Sequence, residues 1–188
     1  MKDFHSTQKG VMLAAQKTAR IALWTTVGVA VAGIERLLPT PLPWVRLGLA
    51  NGAALIVLLT MGFSPALLVN LARTTVIALL FGTWASPSFI LSISGAVAAV
   101  IVMGLLHGIS KKLFGAVGIS AAGAFVHMLT QFVVATLLFV RHSALLAFAG
   151  PSLIAAIISG ILVGLIAELV MRRLPASMLN PKLDEAGQ

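Results

Sequence analysis

The residue with the clearest chemical potential is Arg73, which lies near the middle of the apolar run 66–81. An arginine at the centre of a membrane-spanning helix costs at least about 2.5–3.5 kcal/mol on insertion scales, so it requires compensation. The chain has only five acidic residues, and Glu168 already has Arg172 as a partner four residues along. Three interpretations of Arg73 stay open: a structural contact with Glu35 or with helix-end carbonyls, contact with an anionic ligand, or snorkelling.

Other polar side chains could converge on this arginine. Asn70 precedes Arg73 by three residues, so the two share one helix face. Arg46 and Asn51 stand at the start of the next apolar run upstream, 47–61, which follows a proline-rich stretch. That run covers about 22 Å, short of a membrane core of about 30 Å. The amides at its N-terminus would favour an anion, and such short, broken helices mark substrate sites in transporters.

Two later apolar runs carry stripes of small and polar residues. His127 lies in one of them, and a lone buried histidine is more often a hydrogen-bonded structural residue than a ligand. No second histidine or acid stands at metal-ligand spacing, so we expect no metal site. The stripes consist of Ser120, Ala124, His127 and Gln131, and of Ser88, Ser92 and Gly95.

Motifs for catalysis and cofactor binding are missing from the sequence. It contains no P-loop motif, no nucleophile elbow and no H-E-x-x-H. Asp3 and Asp184 are the only aspartates, so no aspartate cluster can hold Mg²⁺ against a diphosphate. The chain also has no cysteine, which excludes thiolate chemistry and disulfides. We therefore expect a protein that is not an enzyme and has no cofactor.

Composition indicates a membrane protein. Hydrophobic residues make up 59% of the chain, charged residues only 10%, and the mean hydropathy is +1.05. A soluble domain has roughly 25% charged residues. The pattern predicts an all-α, polytopic bundle of about six transmembrane helices. The apolar runs are 18–38, 47–61, 66–81, 89–106, 117–140 and 153–171.

The basic residues indicate the orientation of these helices. With the N-terminus inside, nine of the 13 Lys and Arg residues fall on the inner side and three on the outer side, while Arg73 lies within a span. The positive-inside rule thus predicts that both termini are cytoplasmic. We divide the chain into a basic N-terminal segment (1–17), a six-helix transmembrane domain (18–173) and a polar cytoplasmic tail (174–188). The net charge of +8 follows this pattern and is not arranged as a nucleic-acid surface.

Small residues four positions apart predict close helix packing in the bundle. Ordinary packing within the chain is the simpler interpretation of these pairs, and the alternative is a face of the first helix reserved for a partner subunit. The pairs are Ala15/Ala19, Gly28/Ala32, Gly95/Ala99 and Gly160/Gly164.

Three segments resemble motifs of a known family. Residues 46–51 (R-L-G-L-A-N) are similar to its K-L-G-L-A-N signature, and residues 87–92 with Gly95 are similar to its P-S-F-x-x-S-x-x-G motif. Residues 120–131 resemble S-x-x-G-A-x-x-H-N-x-G-Q. The family is the Gx transporter family, also labelled heptaprenyl diphosphate synthase component I, and it is similar to the substrate-binding S components of energy-coupling-factor (ECF) transporters. The resemblance covers roughly residues 15–172.

The chain departs from these motifs at a few positions. Arg46 replaces a lysine, which keeps the charge but changes its geometry. Met128 and Thr130 replace the asparagine and glycine beside His127, so no role of that asparagine carries over. The missing aspartate clusters do not fit the synthase label.

The resemblance implies an S-component-like protein in the cytoplasmic membrane of a bacterium that binds a small, anionic or lipid-like substrate for uptake. A transmembrane coupling protein and ATPases would then contact the first helix near Ala15, Ala19 and Ala22. The alternative is a non-catalytic membrane subunit linked to isoprenoid or quinone synthesis or to membrane electron transfer. The candidate substrate-binding residues are Arg46, Asn51, Asn70, Arg73, Ser92, His127 and Gln131.

Overall fold

The computed structural model describes residues 2–37, 48–109, 114–139 and 144–175. Within these ranges the chain is all-α and contains no strand, as the apolar pattern predicts. The proline-rich stretch at residues 39–43 and Arg46 lie outside the described residues. The helices are α1 (Lys2–Leu37), α2 (Asn51–Met61), α3 (Phe63–Leu80), α4 (Pro87–Ile109), α5 (Ala116–Leu138) and α6 (Ala144–Arg173).

The short helix α2 lies at the centre of the bundle. It packs against all five other helices, and six consecutive residues, from Ala53 to Leu58, are buried. A helix that is apolar on every side is stable only where other helices surround it. Its 11 residues span about 16 Å, so it crosses roughly half of a membrane core.

Four helices are long and apolar enough to cross a membrane: α3, α4, α5 and the part of α6 from Phe148 onwards. Helix α2 is too short, and the apolar part of α1 is flanked by Arg20 at one end and by Glu35 and Arg36 at the other. The exposed surface of the four spans consists of large apolar side chains such as Leu105 and Leu165. This is the surface expected of a polytopic membrane protein, whose outer faces contact lipid.

Several helix ends differ from the sequence prediction. Helix α1 already begins at Lys2, so the polar residues 2–17 are helical, and α6 begins at Ala144 and continues through Pro151. Only Gly62 separates α2 from α3, with φ at +92°, a conformation that glycine adopts without strain. Pro65 is the third residue of α3, within the turn whose N–H groups have no acceptor in the helix.

Three of the four small-residue pairs pack within the chain. A Cβ added at Gly160 would lie 2.7 Å from the Cα of Ala121, and one added at Gly164 would lie 2.6 Å from the Cα of Val117. Helices α5 and α6 therefore touch backbone to backbone. Gly95 and Ala99 pack inside the bundle, as do Gly28 and Ala32, whereas Ala15 and Ala19 are exposed on α1.

Candidate functional site

Arg73 is buried inside the bundle and is held by two amide side chains. Its Nη2 donates hydrogen bonds to Oδ1 of Asn51 at 3.0 Å and to Oδ1 of Asn70 at 2.5 Å. Its Nε has no hydrogen-bond partner among the described residues. The stem of the side chain packs on α1, where a Cβ added at Gly28 would lie 2.7 Å from Arg73 Cδ. The guanidinium is thus fixed in position by neutral groups, and its charge is not cancelled by an ion pair within the described part of the chain.

Asn70 supports Arg73 through a hydrogen bond and links helix α3 to helix α4. Besides accepting from Arg73, its Nδ2 donates to the carbonyl of Ala96 on α4 at 2.9 Å. Its side chain is almost completely buried. The prediction that Asn70 and Arg73 share a helix face is confirmed, but Asn70 supports the arginine and does not line the cavity.

Glu35 occupies the amides that precede α2. The N–H of Leu49 donates to Oε1 of Glu35 at 2.8 Å, and the N–H of Ala50 is 3.4 Å from Oε2. Gly48 makes this turn possible with φ at +68°. The start of α2 does favour an anion, as its sequence predicts, but the anion it binds is a carboxylate of α1. Positive charge for a bound anion would therefore have to come from other residues of the site.

A cavity of about 360 Å³ opens beside these residues and is lined by all six helices. Glu35 and Arg36 contribute from α1, and Arg73 contributes from α3. The opposite wall is formed by side chains of α4 and α5, including Phe89 and His127. Ligand pockets in proteins measure roughly 300–1,000 Å³, so the cavity is large enough for a small molecule.

The structure brings five of the seven predicted site residues together around this cavity. Asn70 lies just behind Arg73, and Arg46 lies outside the described residues. Because the five come from four different helices, their convergence follows from the tertiary fold and not from local spacing. The five cavity-lining residues are Asn51, Arg73, Ser92, His127 and Gln131. Their role in binding a substrate stays a prediction.

His127 and Gln131 stand one helical turn apart on α5 and face α4 across Gly95. A Cβ added at Gly95 would lie 2.9 Å from the carbonyl oxygen of His127 and 3.1 Å from Cγ of Gln131. The glycine therefore allows the two helices to approach closely at the cavity wall. Nδ1 of His127 is buried and has no hydrogen-bond partner among the described residues, so it is available to a ligand or a water.

Sequence reasoning missed several polar residues of the cavity. The guanidinium of Arg36 lies over the Phe81 ring, 4.6 Å from its centroid, and the residue lines the cavity. Glu35 lines the cavity as well. Ser88, which belongs to the polar stripe that the sequence indicates one helical turn before Ser92, lines the cavity too. The further polar lining residues are Thr74, Thr83 and Ser159.

The predicted partner face lies apart from the cavity. Ala15, Ala19 and Ala22 are all exposed on α1. Neighbouring apolar side chains on the same half of the helix, Val11 and Met12, are about two-thirds exposed. A contact of this face with another subunit stays a prediction.

Comparison with known proteins gives one family match. A search of curated proteins and a search of solved structures each found no match. A family model described as heptaprenyl diphosphate synthase component I matches residues 24–170, which include α2 to α5 completely, most of α6 and the apolar half of α1. The match covers the whole cavity. This helical membrane protein, with its central short helix and its cavity arginine, belongs to the heptaprenyl diphosphate synthase component I family.

Proposed function

We propose that this chain is the substrate-binding membrane subunit of an uptake system, similar to an ECF S component, and that its ligand carries negative charge. The observation that carries the proposal is the placement of Arg73. It is buried, it lines a cavity of ligand size, and neutral amides hold it. A buried cation without a dedicated ion pair is costly, and an anionic ligand would compensate it.

The fold supports this proposal in a second way. A short helix that ends inside the bundle, with a buried polar site at its start, is the arrangement by which many transporters build a binding site at membrane depth. Here α2 begins at Asn51, which lines the cavity and accepts a hydrogen bond from Arg73. The proposal assigns substrate binding to this chain and places the energy source in a separate coupling protein and ATPases. These would dock on the exposed face of α1 that contains Ala15, Ala19 and Ala22.

Mass spectrometry of small molecules that co-purify with the protein tests the binding role. The protein is solubilised from membranes, denatured, and its released compounds are compared with those of two variants. Arg73→Ala should lose the compound that the wild-type protein carries, by at least about tenfold, since a charge-assisted bidentate contact is removed. Arg172→Ala is the matched control, because it removes the same charge from an exposed side chain at the far end of α6. Identical compounds from wild type and Arg73→Ala would refute the proposal.

The family description favours a second candidate: a non-catalytic membrane subunit attached to isoprenoid or quinone synthesis, or to membrane electron transfer. Affinity purification from native membranes separates the two. Recovery of ATPase subunits with the chain supports uptake. Recovery of a prenyl synthase or a redox protein, without ATPases, supports the second candidate instead.

A further inference from the structure

The charges around the cavity restrict the class of ligand. Three lining residues among the described ones carry formal charges: Glu35, Arg36 and Arg73. Glu35 accepts hydrogen bonds from the amides of Leu49 and Ala50. The described lining thus has a net charge of about one positive unit, which matches a ligand with one negative charge.

A ligand with more negative charge would be poorly compensated. A diphosphate ester carries two or three negative charges and normally binds through several basic groups or through a magnesium ion held by carboxylates. Among the described lining residues there is no lysine, and Glu35, the one acid, is already engaged. An uncompensated charge in a buried site is strongly disfavoured. The cavity therefore disfavours a diphosphate.

The size of the cavity also disfavours a diphosphate with a long prenyl chain. A volume of about 360 Å³ lies near the lower end of the roughly 300–1,000 Å³ found for ligand pockets. A ligand that fits inside is therefore a small molecule. A polyprenyl chain is several times larger and would have to extend out of the bundle.

The cavity residues of α4 and α5 indicate which chemical groups the rest of the ligand should carry. Ser88 and Ser92 on α4 and His127 and Gln131 on α5 offer hydroxyl, imidazole and amide groups, beside apolar side chains such as Phe89 and Met128. Nδ1 of His127 has no partner within the described residues. A hydrocarbon tail against His127 would leave this buried Nδ1 without a hydrogen-bond partner, which disfavours such a tail. A ligand with hydrogen-bonding groups would satisfy it.

We infer that the cavity binds a small, singly charged anion of the carboxylate class, with its carboxylate on Arg73 and hydrogen-bonding groups facing His127 and Gln131. A planar carboxylate matches the planar guanidinium, which recognises it in a bidentate manner. This inference rests on the proposed function, because it specifies the ligand of the same site. The net charge and size of the cavity, taken over the described residues, disfavour an isoprenoid diphosphate as the bound molecule.

Four probes of graded charge test the inference on the purified full-length protein in detergent. Benzoate carries one negative charge, benzamide is its neutral analogue, phenyl phosphate carries up to two charges, and geranyl diphosphate carries a diphosphate on a prenyl chain. Thermal unfolding is followed by the fluorescence of the three tryptophans. We expect benzoate to raise the unfolding temperature of the wild type by roughly 3 °C at about ten times its Kd, and benzamide to leave it unchanged.

Two variants connect that shift to the arginine. Arg73→Ala should abolish the benzoate shift, and Arg172→Ala should retain it. If Arg73→Ala does not fold, Arg73→Lys takes its place. This variant keeps the positive charge but cannot donate two parallel hydrogen bonds to a carboxylate, so the Kd for benzoate should rise at least about tenfold. Phenyl phosphate and geranyl diphosphate should give smaller shifts than benzoate, and these should not depend on Arg73.

Three results would overturn the inference: no response to benzoate, an equal response to benzamide, or a larger Arg73-dependent shift with geranyl diphosphate. The last result leaves the proposed function intact and changes only the ligand class. Failure of the proposed function itself is seen separately, when no compound of any class co-purifies in an Arg73-dependent manner.

Discussion

Asn70 holds the cavity arginine in place, and its removal gives the sharpest test of this structure. Asn70→Ala deletes two hydrogen bonds at once, the one accepted from Nη2 of Arg73 and the one donated to the carbonyl of Ala96. The first involves a charged group and the second joins α3 to α4. Both lie in the buried interior. We therefore expect a large loss of stability from a substitution that does not touch the cavity lining.

The magnitude follows from the two bonds. A hydrogen bond to a charged group contributes roughly 1.5–3 kcal/mol and a neutral one about 1 kcal/mol in soluble proteins. Between helices in membranes the average is nearer ~0.6 kcal/mol and the maximum ~1.7 kcal/mol, because the separated helices also find partners. The expected loss is thus roughly 1.5–3 kcal/mol, which for a chain of this size lowers the unfolding temperature by roughly 4–10 °C.

A double-mutant cycle shows whether the loss comes from the arginine. Asn70→Ala, Arg73→Met and the double variant are compared by thermal unfolding in detergent. In the double variant the guanidinium of Arg73 is absent, so the loss of Asn70 no longer leaves a buried charge without its hydrogen-bond partner. The double variant should therefore be at least about 1 kcal/mol more stable than the sum of the single changes predicts. Thr60→Ala serves as a control, since its hydroxyl bonds only to the Ile56 carbonyl of its own helix. An additive cycle would refute the view that Asn70 serves Arg73.

Three further predictions concern packing, the start of α2 and orientation. Gly160→Ala should destabilise the bundle by roughly 1–3 kcal/mol in thermal unfolding, because its methyl group meets the backbone of α5, whereas Gly150→Ala in the same helix has nothing within 4 Å and should be neutral or stabilising. Glu35→Gln should lower stability by about 1–2 kcal/mol in the same assay, since it replaces two charge-assisted bonds by weaker ones; an unchanged unfolding temperature would contradict the described contacts. The chain has no native cysteine, so an impermeant maleimide added to intact cells should label Trp84→Cys and should label Gln8→Cys only after permeabilisation; the reverse would contradict a cytoplasmic N-terminus.

The sequence predicts those features that depend on local periodicity. The apolar runs locate α3, α4 and α5 to within a few residues, and the spacing of Asn70 and Arg73 places them on one face. The i,i+4 pairing of Glu168 with Arg172 is confirmed at 3.3 Å. Each of these features is decided within one helix, where the 3.6-residue repeat determines which side chains are neighbours.

Helix ends are harder to predict because composition and conformation diverge there. The segment before the first apolar run is polar, which suggests irregular structure, yet its alanine, lysine, glutamine and leucine residues are good helix formers and α1 starts at Lys2. Gly150 and Pro151 suggest a break before the last run, but α6 passes through both. Proline within a membrane helix is tolerated where neighbouring groups satisfy the freed carbonyl, which a single sequence does not reveal.

The site depends on contacts between distant parts of the chain, and Glu35 shows why these escape sequence reasoning. Its neighbour Arg36 and its place at a helix end favour a surface position, while its actual partners, Leu49 and Ala50, lie 14 and 15 residues along the chain. The amides before α2 attract an anion whether it belongs to a ligand or to the protein, so the sequence alone cannot distinguish the two. Once Glu35 fills this position, Arg73 is the buried cation of the described cavity that remains for a bound anion. Glu35→Gln therefore tests how the fold is held together at the start of α2, and it does not test ligand binding. Binding is tested by substitutions at Arg73 and at the cavity residues of α4 and α5.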